Sequence, residues 1–145
     1  MENRINLSKV DPKAYEAMIG LEKYLAQSGL DKILYELIKT RASQINGCAY
    51  CINMHTRDAI TLGEKAQRLF LLDAWRETEL FTEKERAVLA LTEAMTLITN
   101  GHVPDEVYKN AAAHLTPNEL AAVIMAVVAI NGWNRIAITT RTPLD

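Results

Sequence analysis

Two thiols and an imidazole stand close together in the chain, at Cys48, Cys51 and His55, and these are its only two cysteines. On a helical wheel turning about 100° per residue, with Cys51 at the origin, Cys48 falls at about 60° and His55 at about 40°. The three side chains therefore share one narrow face of a helix that starts just after Gly47. A free thiol is mostly protonated at neutral pH, and only its thiolate attacks. The first turn of a helix offers unpaired N–H groups and positive dipole charge, which favour a thiolate. His55, one turn beyond Cys51, can take its proton. The three-residue step lets the cysteines close a disulfide, so one sulfur can attack and the other resolve.

Other chemistries use the same residue types. Cys48, Cys51 and His55 could supply three zinc ligands, but a structural site needs a fourth and the chain holds no second cysteine pair. His102 and His114 fall beside helix ends and read as surface or capping residues. Covalent haem attachment needs His directly after the second Cys, where Ile52 stands. A thioredoxin-like fold needs strands, and no alternating pattern with hairpin turns is present.

The elements that must position these residues have the helical period. Asp11-Pro12 opens a helix carrying Tyr15, Met18, Ile19 and Tyr24, ended by Gly29. Ile33, Leu34, Leu37, Ile38 and Ile45 form a second stripe, closed by Asn46-Gly47. A third helix begins around Cys48 to Cys51 and stops at Gly63, and a fourth is predicted from Glu64 to Trp75. Thr82 with Glu85, and Thr116 with Glu119, are capping boxes. The first opens a helix ended by Asn100-Gly101; Pro104 starts a shorter one through Tyr108. The second box opens the most apolar helix, to about Trp133, and the β-branched run Ile136 to Thr140 fits helix or strand. The prediction is an all-α bundle of about six to seven helices in one domain spanning residues 1–145. The last long helix is apolar nearly all round, as in a core or an interface between subunits.

Composition narrows the classes. The chain has 145 residues, 49% hydrophobic and 23% charged, with a formal charge of −2 and no basic stripe, which speaks against nucleic-acid binding. Its longest apolar run, Leu120 to Ile130, falls short of the ~20 residues that span a bilayer. The start Met1-Glu2-Asn3-Arg4 leads into no hydrophobic signal segment, so the expected compartment is the cytoplasm and no membrane association is expected. There a lone close cysteine pair points to redox or metal chemistry.

The segment Ser43 to His55 resembles the signature of the alkylhydroperoxidase D-like proteins of the carboxymuconolactone decarboxylase superfamily: a glutamate, then Cys-x-x-Cys, then His four residues after the second Cys. The resemblance extends to the Phe81 to Arg86 helix start and to the Leu120 to Arg135 helix with its Asn131-Gly132-Trp133-Asn134-Arg135 end. It implies an all-helical subunit that assembles into homo-oligomers, trimers or hexamers. It implies hydroperoxide reduction without haem, flavin or other cofactor, with electrons from a dithiol donor such as a lipoyl adaptor or a thioredoxin-like protein. It assigns Cys51 as the attacking thiol, Cys48 as the resolving one and His55 as the relay histidine. The relay glutamate, twelve residues before the first Cys, falls on Glu36. On the wheel Glu36 lies off the apolar stripe, where a carboxylate is ordinarily solvated; only the resemblance gives it a role. Tyr50 stands where the best-known members carry His, and its phenol can donate a hydrogen bond to a peroxide oxygen or a sulfur. Three further readings remain open: a disulfide reductase of the same fold, a zinc-binding module, and a decarboxylase-like enzyme. The decarboxylating members lack the cysteine pair.

Overall fold

Helix boundaries follow the capping residues. In the computed structural model, which describes residues 2–145, the Asp11 side chain accepts from the Ala14 N–H and Pro12 opens the first long helix. Asp31 caps the next helix through the Leu34 N–H at 2.9 Å. Both capping boxes form as read, Thr82 with Glu85 and Thr116 with Glu119. The elements are α1 (Leu7–Val10), α2 (Pro12–Gln27), α3 (Lys32–Asn46), α4 (Ala49–Thr61), α5 (Ala66–Phe70), a 3-10 helix (Leu72–Glu77), α6 (Glu83–Thr96), α7 (Asp105–His114) and α8 (Pro117–Thr140). There is no strand among the described residues.

The all-helical class stands as expected, with more pieces than the periodicity suggested. The short α1 precedes the Asp11 cap. The helix predicted from Glu64 to Trp75 breaks at Leu71 into α5 and the 3-10 turn. Leu69, Leu72 and Trp75 are spaced by three and all buried. A 3-10 helix, at three residues per turn, stacks such residues on one face, whereas an α-helix rotates them apart. Helix α7 runs to His114 rather than Tyr108, and α8 carries the Ile136 to Thr140 run, ending at Arg141 in the left-handed region.

Helix α3 sits at the centre. Its Leu34 and Ile38 join the largest apolar cluster, with Leu25, Val88, Leu91, Val123 and Val127. Leu37 joins a second, with Leu69, Leu72, Trp75, Phe81 and Leu89. Ala42 joins a third, with Cys48, Cys51, Ile130 and Ala137. A helix feeding three clusters has no solvent face in its middle, so Glu36, Lys39, Thr40 and Ser43 are buried along with the apolar stripe. Helix α2 is the reverse: Leu25 alone is fully buried, and Tyr15 and Tyr24, read from sequence as part of its apolar stripe, are exposed.

Helix α8 is long and apolar enough to cross a membrane, with a mean hydropathy of 1.6 over its most apolar stretch. Here it packs against α2, α3, α4, α6 and α7 as a core helix. It leaves Val128 and Ile138 exposed on its outer side.

Candidate active site

The reactive segment is the tight connection between α3 and α4. Gly47 ends α3 at φ 70°, a backbone state that any side chain would strain. Its neighbour Asn46 donates to Asn131 Oδ1 at 3.0 Å and to Asn134 Oδ1 at 2.9 Å. Asn134 in turn donates to Ser43 Oγ at 2.9 Å. These amides fasten the turn to α8. Cys48 then caps α4, its sulfur accepting from the Cys51 N–H. Cys48 and Cys51 are joined as a disulfide, with Cα atoms 5.3 Å apart, within the range such bonds take.

The two sulfurs have different surroundings. Both residues are buried, but Cys51 lines a cavity of about 870 Å³ and Cys48 does not. Cys48 is packed instead into the third apolar cluster, with Ala42, Ile130 and Ala137. Leu62, at about 20° on the same wheel, is exposed beyond the end of α4.

Glu36 overturns its reading as a solvated side chain. It is 6% exposed, and its Oε2 lies 2.8 Å from His55 Nδ1. A carboxylate can only accept, so with Glu36 ionised Nδ1 carries the proton and Nε2 of the neutral ring is left as acceptor. His55 is 5% exposed and, like Glu36 and Cys51, lines the cavity. The exposed Asp58, one turn beyond His55, brings an oxygen within 4.8 Å of the Glu36 carboxylate and the His55 ring. Tyr50 is half-buried and lines the same space. Tyr15, Ile19, Met54, Trp133 and Ile136 supply apolar wall, and the segment from Glu2 to Ser8 closes one side.

A second polar group in this cavity escaped the sequence reading. Lys39, 1% exposed, is paired with Glu22 of α2. Glu22 also accepts from the Tyr35 hydroxyl and, at 2.8 Å, from Trp133 Nε1. The Lys39 ammonium lies 4.3 Å from the centre of the Tyr35 ring. Burial pushes the Lys39 pKa below its ordinary value, partly offset by Glu22 and Glu36. Burial would raise Glu22, but Lys39, Tyr35 and Trp133 outweigh it and hold the carboxylate low. Burial and the Glu22 carboxylate push Tyr35 upward, so its phenol stays protonated. The available signal was the placing of Glu36 and Lys39 among the apolar residues of α3, three positions apart.

Comparison with known proteins agrees with this fold. The sequence profile of the carboxymuconolactone decarboxylase family matches residues 12–94. Protein YdfG of Bacillus subtilis is 41% identical over 138 residues, covering 95% of this chain and 94% of its own. Protein YnjA of Escherichia coli is 28% identical over 119 residues, covering 82% and 63%. A crystal structure of ATU0492 from Agrobacterium tumefaciens, described as a candidate antioxidant defence protein AhpD of unknown function, superposes with a TM-score of 0.96 at 40% identity over 99% of both chains. The debrominase Bmp8 shares the fold, with a TM-score of 0.84 at 18% identity over 94% of this chain and 74% of its own.

Proposed function

The chain belongs to the carboxymuconolactone decarboxylase family, and from that membership and its thiol site we propose that it reduces hydroperoxides with the Cys48/Cys51 pair. One observation carries the reading. Cys51, alone of the pair, opens on the cavity into which the hydrogen-bonded Glu36 and His55 also face.

In the reduced protein His55 takes the Cys51 proton through Nε2, while Glu36 holds the proton on Nδ1. The Cys51 thiolate attacks the terminal peroxide oxygen and the O–O bond breaks. The leaving alkoxide takes a proton and departs as an alcohol, and Cys51 becomes a sulfenic acid. The Cys48 thiol then attacks the Cys51 sulfur, and the displaced hydroxide leaves with the thiol proton as water, giving the disulfide. A dithiol donor, a lipoyl arm or a thioredoxin-like protein, returns two electrons by exchange and is itself oxidised. Tyr50 is placed in this scheme as a hydrogen-bond donor to the peroxide. An antioxidant role in the cytoplasm, as a homo-oligomeric trimer or hexamer built on the outer side of α8, completes the proposal; sedimentation giving a 16.2 kDa monomer at micromolar concentration removes that assembly.

Thiol titration tests the chemistry. One equivalent of hydroperoxide should remove two thiols from the reduced protein and leave an intramolecular disulfide by mass. No thiol loss, or loss without that disulfide, overturns the reading.

A further inference from the structure

The cavity holds a charged group that the thiol cycle does not use. Lys39 is on α3, three residues beyond Glu36, and its ammonium is buried against Glu22. A buried ion pair is poor value as a source of stability, because desolvating both ions offsets much of their attraction. Its place in the wall of the cavity that Cys51 also lines points to an electrostatic role. We infer that Lys39 is an electrostatic positioning residue of the thiol site: its buried ammonium, in the wall of the cavity that Cys51, Glu36 and His55 also line, favours the Cys51 thiolate over the thiol. This rests on the thiol reading above.

The charges around the site fix the direction of the effect. Glu22 faces Lys39 from α2, Tyr35 and Glu36 face it along α3, and His55 and Asp58 stand on α4. Trp133 of α8 presents only an indole N–H, and it goes to Glu22. Glu2 and Arg4 are exposed at the cavity rim and Arg141 is half-buried there, so solvent screens them more than it does Lys39. Glu36 contributes to the negative potential felt by Lys39, and the attraction is mutual. Removing the ammonium therefore makes the Cys51 thiolate harder to form. Removing the Glu22 charge does the opposite, because it takes an anion out of the same cavity wall.

The test is the pH dependence of Cys51 alkylation by iodoacetamide in the reduced full-length protein, resolved by site with mass spectrometry. Lys39→Met should move the midpoint upward by about one pH unit, the low end of the effect of a nearby opposite charge. Glu22→Gln should move it downward. A purely structural tie predicts lower melting temperatures for both variants with the midpoint unchanged. Unchanged midpoints, or two shifts of the same sign, overturn the inference. If Lys39→Met gives no cooperative melt, Glu22→Gln decides alone: a downward shift supports the role, and no shift or an upward one ends it. Alkylation needs no peroxide. Opposed shifts in a protein that ignores hydroperoxide would sink the peroxidase reading and leave this one standing.

Discussion

Lys39 and Arg68 are both cations set against glutamates, and they are coordinated very differently. Arg68 spends all five of its N–H groups. It bonds Glu64 at 2.9 and 3.1 Å, Glu85 at 2.8 and 2.9 Å, and the Leu80 carbonyl at 2.6 Å. Its guanidinium also covers the Phe81 ring at 4.7 Å. The Glu85 hydrogen bonds raise its pKa above the ordinary value, with Glu64 adding to them. Lys39 has one carboxylate and an aromatic face, and burial lowers its pKa. Arg68 joins α5 to the start of α6, away from the cavity, and a cation so fully paired exerts little field beyond its partners. Lys39 stands in the cavity wall with charge to spare. Pairing, more than burial, separates a tie from a source of potential.

Substitutions on the two sides should therefore fail in different measurements. The largest effect is expected at Cys51: Cys51→Ser should lose the peroxide reaction, while Cys48→Ser should still react and stop at a sulfenic acid, read by stopped-flow and mass. A Cys51→Ser protein that still reacts through Cys48 would reverse the roles of the two sulfurs. His55→Ala should slow the first step by ~10²–10⁴-fold, the usual loss on removing a general base. Glu36→Gln should slow it less, since the amide can still bond the ring; no slowing would return Glu36 to a packing role.

On the other side, Arg68→Met should leave the rate per folded molecule unchanged and lower stability by about 2–3 kcal/mol. That is below the usual cost of breaking a buried pair because the Arg68 side chain stays 15% exposed. Denaturant melts with parallel activity assays check it, and a slowed peroxide step at unchanged stability breaks the comparison. The smallest effect concerns acid. Burial raises the Glu22 and Glu93 carboxyls, but both are held below the ordinary carboxylate value, Glu22 by the Lys39 charge and hydrogen bonds from Lys39, Tyr35 and Trp133, Glu93 chiefly by hydrogen bonds from Arg76, Trp75 and Arg41. A lowered carboxyl contributes stability above its unfolded pKa and loses it as pH falls through the folded one. Stability should accordingly decline below about pH 4.5, the ordinary value, and Glu22→Gln should remove part of that slope in melts from pH 7 to pH 3.

Much of the scaffold was legible because its signals are local. The two capping boxes, the Asp11-Pro12 start and the left-handed Gly47 each act within one helical turn, and each appears where the spacing put it. The cysteine pair and its histidine likewise fall within about two turns at the start of α4. Glu36 and Lys39 were not legible from periodicity, because a wheel assumes one buried face and α3 is enclosed on all sides. Their partners also lie far off in sequence: the Trp133 to Glu22 bond joins residues 111 positions apart. The break at Leu71 was hidden for another reason, since a spacing of three suits both a 3-10 turn and a loosely read α-helix.

The burial of Cys48 has a kinetic corollary. Under the proposed cycle the peroxide and the electron donor must reach the same sulfur, Cys51, through the same opening, for Cys48 has no contact with the cavity. One reagent has to leave before the other enters. Turnover should then be ping-pong, with reciprocal plots at several donor concentrations running parallel. High concentrations of donor should inhibit competitively against peroxide, because a donor occupying the opening of the reduced protein obstructs the oxidant's only approach.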